Sequence, residues 1–207
     1  MRKRNLVTLV TVALAIVLGS GMALADDLYV GGNYNNIPLT TGNEGGGSIT
    51  VSTLNGAALP WLYCVDLYIT ISVPGDYNNT TTTSNGYVHG ALVNNAGQVA
   101  WLLDHYATAD IGNTTGQIAL QAAIWHAIFG VALDPSSGSI TDYNAYLAAL
   151  GSNTDPLSNV KWFSPGISGN NTEYQGLVGP VPDGGVTLLL LGGALVGLET
   201  LRRRLHA

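Results

Sequence analysis

Basic residues are almost absent from the body of this chain. Of its seven lysines and arginines, six stand at the termini (Arg2, Lys3, Arg4, Arg202, Arg203 and Arg204) and only Lys161 lies between them. Residues 26 to 180 set eleven acids against that one lysine. A surface so acidic repels phosphate backbones, which excludes nucleic acid as a partner. Cysteine is scarcer still: Cys64 is the only one, so no disulfide forms within the chain. No cysteine follows the apolar stretch near the N-terminus, which excludes lipid attachment there. No internal repeat of fixed period is found, and no pattern calls for a metal or a cofactor.

What is present begins at the two ends. Arg2, Lys3 and Arg4 precede an apolar run from Leu6 to Leu18, and Ala23-Leu24-Ala25 has small-x-small cleavage spacing. This is the layout of a secretory signal peptide over residues 1–25, with cleavage between Ala25 and Asp26; an uncleaved anchor is the alternative. At the other end Val186 to Leu198 carries no charge, and the apolar character persists to Leu201 apart from Glu199 and Thr200. Such a helix reaches about 24 Å against a ~30 Å hydrocarbon core, a shortfall that snorkelling arginines and local thinning cover. A transmembrane helix closed by Arg202, Arg203 and Arg204 is expected, with both chain ends cytoplasmic and the body outside.

The tail, residues 181–207, resembles the PEP-CTERM sorting segment of bacterial envelopes: a short proline-containing motif, an apolar helix and a terminal arginine cluster. Val181-Pro182-Asp183-Gly184-Gly185 holds the motif position and departs from Val-Pro-Glu-Pro at its third and fourth residues. The resemblance implies recognition by an exosortase-like membrane enzyme and removal of the tail.

Between the ends lies enough chain for one domain with a core. Residues 31–47 are rich in Gly and Asn; SITVSTL and LYCVDLYITISV read as strands, and PGDYNNTTTTSNG as a polar loop. GQVAWLLDHYA, GQIALQAAIWHAIFG and ITDYNAYLAAL read as helices, and NVKWFS as a short strand. This order predicts an α+β fold, a β-rich sandwich or barrel-like sheet with an inserted helical subdomain. The domain is expected to span 26–165, with a Gly/Asn/Pro linker over 166–180.

Strand alternation would put Tyr63, Val65, Leu67, Ile69 and Ile71 on a core face, and Cys64, Asp66, Tyr68, Thr70 and Ser72 on the polar one. A thiolate nucleophile needs a positive neighbour or a helix N-terminus. Asp66 opposes that, although His89, His105 and His126 are available as bases. An inert buried cysteine is a further reading. The fourth involves Gln121. In the helix that opens with a capping-box-like Thr114 and Gln117 and stops at Gly130, Gln121 centres an apolar stripe of Ile118, Ala122, Ile124, Trp125, Ile128 and Phe129. A buried amide costs ~1–3 kcal/mol unless it is paired, either by a backbone group or by chemistry. Attack of the Cys64 sulfur on the Gln121 side-chain carbonyl, with loss of ammonia, would give an internal thioester and account for both residues.

Tyr63-Cys64-Val65-Asp66-Leu67 and Leu120-Gln121-Ala122-Ala123-Ile124-Trp125 resemble the two boxes of bacterial Cys–Gln thioester domains, found on surface adhesins, with Leu120 in place of the family's Thr. VAWLLDHY is similar as well, and the resemblance covers roughly residues 28–150. It implies a single-turnover covalent binder rather than an enzyme, its partner a nucleophile-bearing surface ligand (a lysine amine or a glycan hydroxyl). Asp66 and His126 are then candidates to move the proton, and Tyr63 and Trp125 belong to the thioester's surroundings. An inert envelope or extracellular-matrix component and a Cys–His hydrolase are the alternatives.

Overall fold

The computed structural model describes residues 25–166 and 174–181. The signal peptide short of Ala25, and the tail beyond Val181 with its expected transmembrane helix and arginine cluster, lie outside the described residues. Among the described residues no helix is long and apolar enough to cross a membrane.

Eleven strands, three α-helices and a 3-10 turn at Leu157–Asn159 make up the described chain. The strands are β1 (Asp26–Val30), β2 (Asn33–Leu39), β3 (Gly42–Thr50), β4 (Ser52–Leu54), β5 (Ala57–Leu59), β6 (Tyr63–Cys64), β7 (Gly75–Thr83), β8 (Tyr87–Val88), β9 (Ala91–Leu92), β10 (Val160–Ser164) and β11 (Leu177–Pro180). Between β9 and β10 come α1 (Ala96–Leu102, continued by a π-helical turn over Leu103–Ala107), α2 (Thr114–Phe129) and α3 (Ile140–Leu150). The fold is thus β-rich with a helical insertion, as the element order predicts.

Seven strands form one antiparallel sheet in the order β5-β4-β1-β7-β10-β11-β6. The strands at its two edges, β5 and β6, are only a few residues apart in the chain. Four peptide steps from Leu59 to Tyr63 reach at most about 14 Å. Six strand spacings of about 4.8 Å would put the edges of a flat sheet about 29 Å apart. The sheet therefore curls; the β2–β3 hairpin packs on β6, and α2 packs on the hairpin.

Three sequence expectations are corrected, and one stretch left without an element gains one. The polar run 74–86 is no loop: β7 lies between β1 and β10 in the sheet, with Tyr77 and Thr80 buried. Its threonines are β-branched and suit a strand whatever their polarity. The Gly/Asn-rich stretch forms much of the β2–β3 hairpin. The strand expected over LYCVDLYITISV is reduced to Tyr63–Cys64. Finally, the linker expected over 166–180 contains β11, which is buried and paired on both sides, to β10 and to β6.

Candidate functional site

Cys64 does not stand on a polar face. Residues Trp61 to Val65 are all buried, and Cys64 itself is 1% exposed. A two-residue strand covered on both sides has no solvent face, so alternation could not sort its side chains. β11 fixes it from one side, with Leu177 opposite Cys64 and Val178 opposite Tyr63. From the hairpin, the Ile49 N–H donates to the Leu62 carbonyl at 2.8 Å.

α2 brings Gln121 to the same place. The helix stops at Gly130, whose φ of 73° lets its N–H cap the His126 carbonyl. Its N-cap is Asn113, not Thr114, and no side chain caps it. Gln117 is instead turned inward, donating to the Asp110 carbonyl at 3.0 Å and accepting from the Asn35 amide at 3.0 Å. The expected single stripe is also corrected: Gly116, Gln117, Ala119, Leu120, Ala123 and Ala127 are buried as well. Packed against β2, β3, α1 and α3, the helix is covered nearly all round.

Gln121 is 0% exposed, and its amide docks on the backbone of Cys64. Its Nε2 donates to the Cys64 carbonyl at 2.8 Å. Its Oε1 accepts from the Cys64 N–H at 2.9 Å and from the Gly47 N–H at 3.1 Å. Two residues 57 apart in sequence therefore meet across a strand–helix seam. The amide is paired by backbone groups, so its burial does not by itself demand a covalent bond. Two N–H groups converging on one carbonyl oxygen also form the arrangement that stabilises the oxyanion of acyl transfer.

Two glycines of β3 make this docking possible. Gly47 has a φ of 86°, which turns its N–H onto Gln121. A Cβ on Gly46 would lie 2.9 Å from the Trp125 ring and 3.0 Å from the Gln121 Cγ. The Gly-rich run is thus the lid over the glutamine.

Cys64 lines a cavity of about 160 Å³ together with Gly46, Ile49, Leu67, Trp125 and Gln175, and Tyr34 and Glu44 stand among its other walls. Gln121 sits behind Gly46, where a Cβ would be 3.3 Å from the amide carbon. Burial first, and then the neighbouring Asp66 carboxylate, push the Cys64 thiol far above its ordinary range. A thiolate nucleophile is disfavoured in such surroundings.

The other expected site residues fall as follows. Tyr63 is buried on the opposite side of its strand, its phenol raised by burial and then by Asp110. Trp125 walls the cavity, and its buried indole N–H has no partner. The Asp66 carboxylate accepts from the Gly176 N–H at 2.6 Å, and its main-chain carbonyl from Gln175 at 2.7 Å, so it braces the entry to β11. His126 is not at the site: its Nδ1 lies 3.0 Å from both the Val131 carbonyl and the Tyr143 hydroxyl, beside a different cavity. His89 binds the Tyr174 carbonyl and His105 stacks on Trp101. Among the described residues no histidine lines the Cys64 cavity.

Residues 180–205 match the VPDSG-CTERM motif, with Gly184 at the position of the serine. A sorting motif of this kind marks an exported protein of the cell surface or membrane. No curated protein matches the chain. The fold is similar to the N-terminal thioester domain of a protein F2-like fibronectin-binding protein from Streptococcus pneumoniae, with a TM-score of 0.44 and 12% identity, over 73% of this chain and 91% of that one.

Proposed function

We propose that this is an exported surface protein whose Cys64 and Gln121 join in an internal thioester, used once to attach the protein covalently to a nucleophile on a surface or matrix target. It is a binder and not an enzyme, because the acyl group is consumed in the reaction. The carrying observation is the Gln121 amide, held on the backbone of the one cysteine with its oxygen between two N–H donors. In forming the bond, the Cys64 sulfur adds to the amide carbon, the C–N bond breaks, and the thiol proton leaves with the nitrogen as ammonia. The N–H groups of Gly47 and Cys64 stabilise the oxyanion on the way. In attachment, an amine or hydroxyl forms a bond to the same carbon, the C–S bond breaks, and the nucleophile's proton passes to sulfur. Burial and Asp66, which disfavour a thiolate here, favour that final protonation. The sorting motif supports processing by an exosortase-like enzyme, with the apolar tail holding the chain in the membrane until then.

Intact mass of the purified exported protein tests this reading. The expected mass is one ammonia below that of the sequence, restored to full in Cys64→Ala and in Gln121→Ala apart from the substitution itself. Methylamine should add its own mass and free one thiol. A full sequence mass with a thiol that alkylates on unfolding would sink the proposal. It would leave the second reading, an inert envelope component, which is favoured by the backbone hydrogen bonds that already hold the amide.

A further inference from the structure

A second cavity, of about 230 Å³, opens beside the β2–β3 hairpin and the start of α2. It is lined by amides and hydroxyls: Asn33, Asn35, Thr50, Thr114 and Gln117, with Ser48 buried among them. The Ser48 hydroxyl is the unusual feature. Ser48 is 4% exposed, and its Oγ has no hydrogen-bond partner. The Tyr63 phenol stands close by, also buried, and the two hydroxyls have only each other, in an interaction short of a well-formed hydrogen bond. Buried hydroxyls so poorly paired gain from a further partner, which suits the cavity beside them to a ligand that hydrogen-bonds.

We propose that this cavity is a binding site for a neutral sugar ring. No charged residue lines it, although the domain around it is strongly acidic. An anion would find no counter-charge there, and a cation no carboxylate. Side-chain amides and hydroxyls both donate and accept, which matches the two-way hydrogen bonding of a ring of hydroxyls. Tyr34, 55% exposed, stands at the rim and offers an aromatic face to the C–H side of such a ring.

Tyr34 also lines the Cys64 cavity and packs beside Gly45. A glycan seated at Ser48 and running past Tyr34 would bring a hydroxyl towards Gly46 and Gln121. This deepens the proposed function by naming a hydroxyl-bearing glycan as the target. The ester would form between that hydroxyl oxygen and the Gln121 acyl carbon, with the C–S bond breaking and the proton going to Cys64. Only that last step rests on the thioester reading; the binding site does not.

The test uses the full chain carrying Cys64→Ala, which cannot form a thioester, in a sugar-free detergent. Neutral methyl hexosides (glucoside, galactoside and N-acetylglucosaminide) are the probes, with methyl glucuronide as the charged counter-probe. Saturation-transfer NMR on the sugar protons should detect binding of at least one neutral hexoside, abolished by Ser48→Val. Asn33→Ala, an exposed change that spares the core, should weaken it roughly two- to tenfold, the worth of one hydrogen bond. Transfer to no neutral hexoside, transfer to glucuronide alone, or binding unchanged in Asn33→Ala and in folded Ser48→Val would each overturn the site. Sugar binding with no ammonia deficit in the wild type would keep the site and remove the covalent reading; the reverse result would do the opposite.

Discussion

Gly46→Ala probes the lid over Gln121 most directly. The added methyl group would lie 2.9 Å from the Trp125 ring and 3.0 Å from the Gln121 Cγ. Three hydrogen bonds pin the fully buried Gln121 amide, and the Trp125 ring can give way only towards the adjoining cavity. Overpacking of this kind costs about 1–3 kcal/mol. Gly46 has no positive φ, so alanine is conformationally allowed and regains about 0.4–1 kcal/mol through the unfolded chain. Gly45→Ala supplies the control. Its methyl group would meet only the Tyr34 ring, at 3.1 Å, and that side chain is exposed enough to swing aside. The two variants share the backbone term, so their difference isolates the overpacking. That difference should be about 1–3 kcal/mol, or roughly 2–12 °C in Tm for a domain of this size. Thermal unfolding followed by circular dichroism measures it, and intact mass should show a smaller fraction of ammonia-deficient protein in Gly46→Ala alone. Equal Tm values for the two variants would refute the tight seating of Gln121 beneath β3.

Two further outcomes follow from the same geometry. Burial lifts the Asp110 carboxyl above 3.8, against the Tyr146 and Asn113 hydrogen bonds that lower it. A raised acid favours the protonated fold, so its contribution is present below a pH of about 3.8 and lost as pH climbs through the folded value. The Tm of the wild type relative to Asp110→Asn should therefore fall across that window and then level off; a relative Tm that rises with pH would contradict it. His126→Ala should lower stability by about 1 kcal/mol through its lost hydrogen bonds, while leaving the ammonia deficit intact. Loss of the deficit in a folded His126→Ala protein would return the histidine to the site.

The helices were legible because each carries an apolar run and two of them end at a glycine, Gly130 and Gly151. The pairing of Cys64 with Gln121 was legible as two residues at odds with their assumed surroundings, although the surroundings differ from those assumed. Cys64 is buried because β6 is covered on both sides, and its strand is too short for alternation to carry information. β7 was missed because hydrogen-bonded neighbours, absent from any local pattern, turn a polar threonine run into an interior strand. The same holds for β11, a stretch of four residues whose burial depends on β6 and β10. The Gly45-Gly46-Gly47 run was visible, but only contact with Trp125 and Gln121 distinguishes a close-packed glycine from a flexible one. His126 shares a helix with Gln121, yet points to Tyr143 and Val131.

β11 is the last described strand before the sorting segment, and it is an inner strand with a ladder on each side. A chain moored beyond Val181 and tugged from outside therefore feels tension along the axis of that strand. Its two ladders are loaded in shear, all rungs together, rather than peeled one rung at a time. Such a chain would enter the domain at Pro180, opposite Val160, and reach Leu177, opposite Cys64, three residues further in, so a pull on it would cross the whole of β11 before bearing on the seam with Gln121.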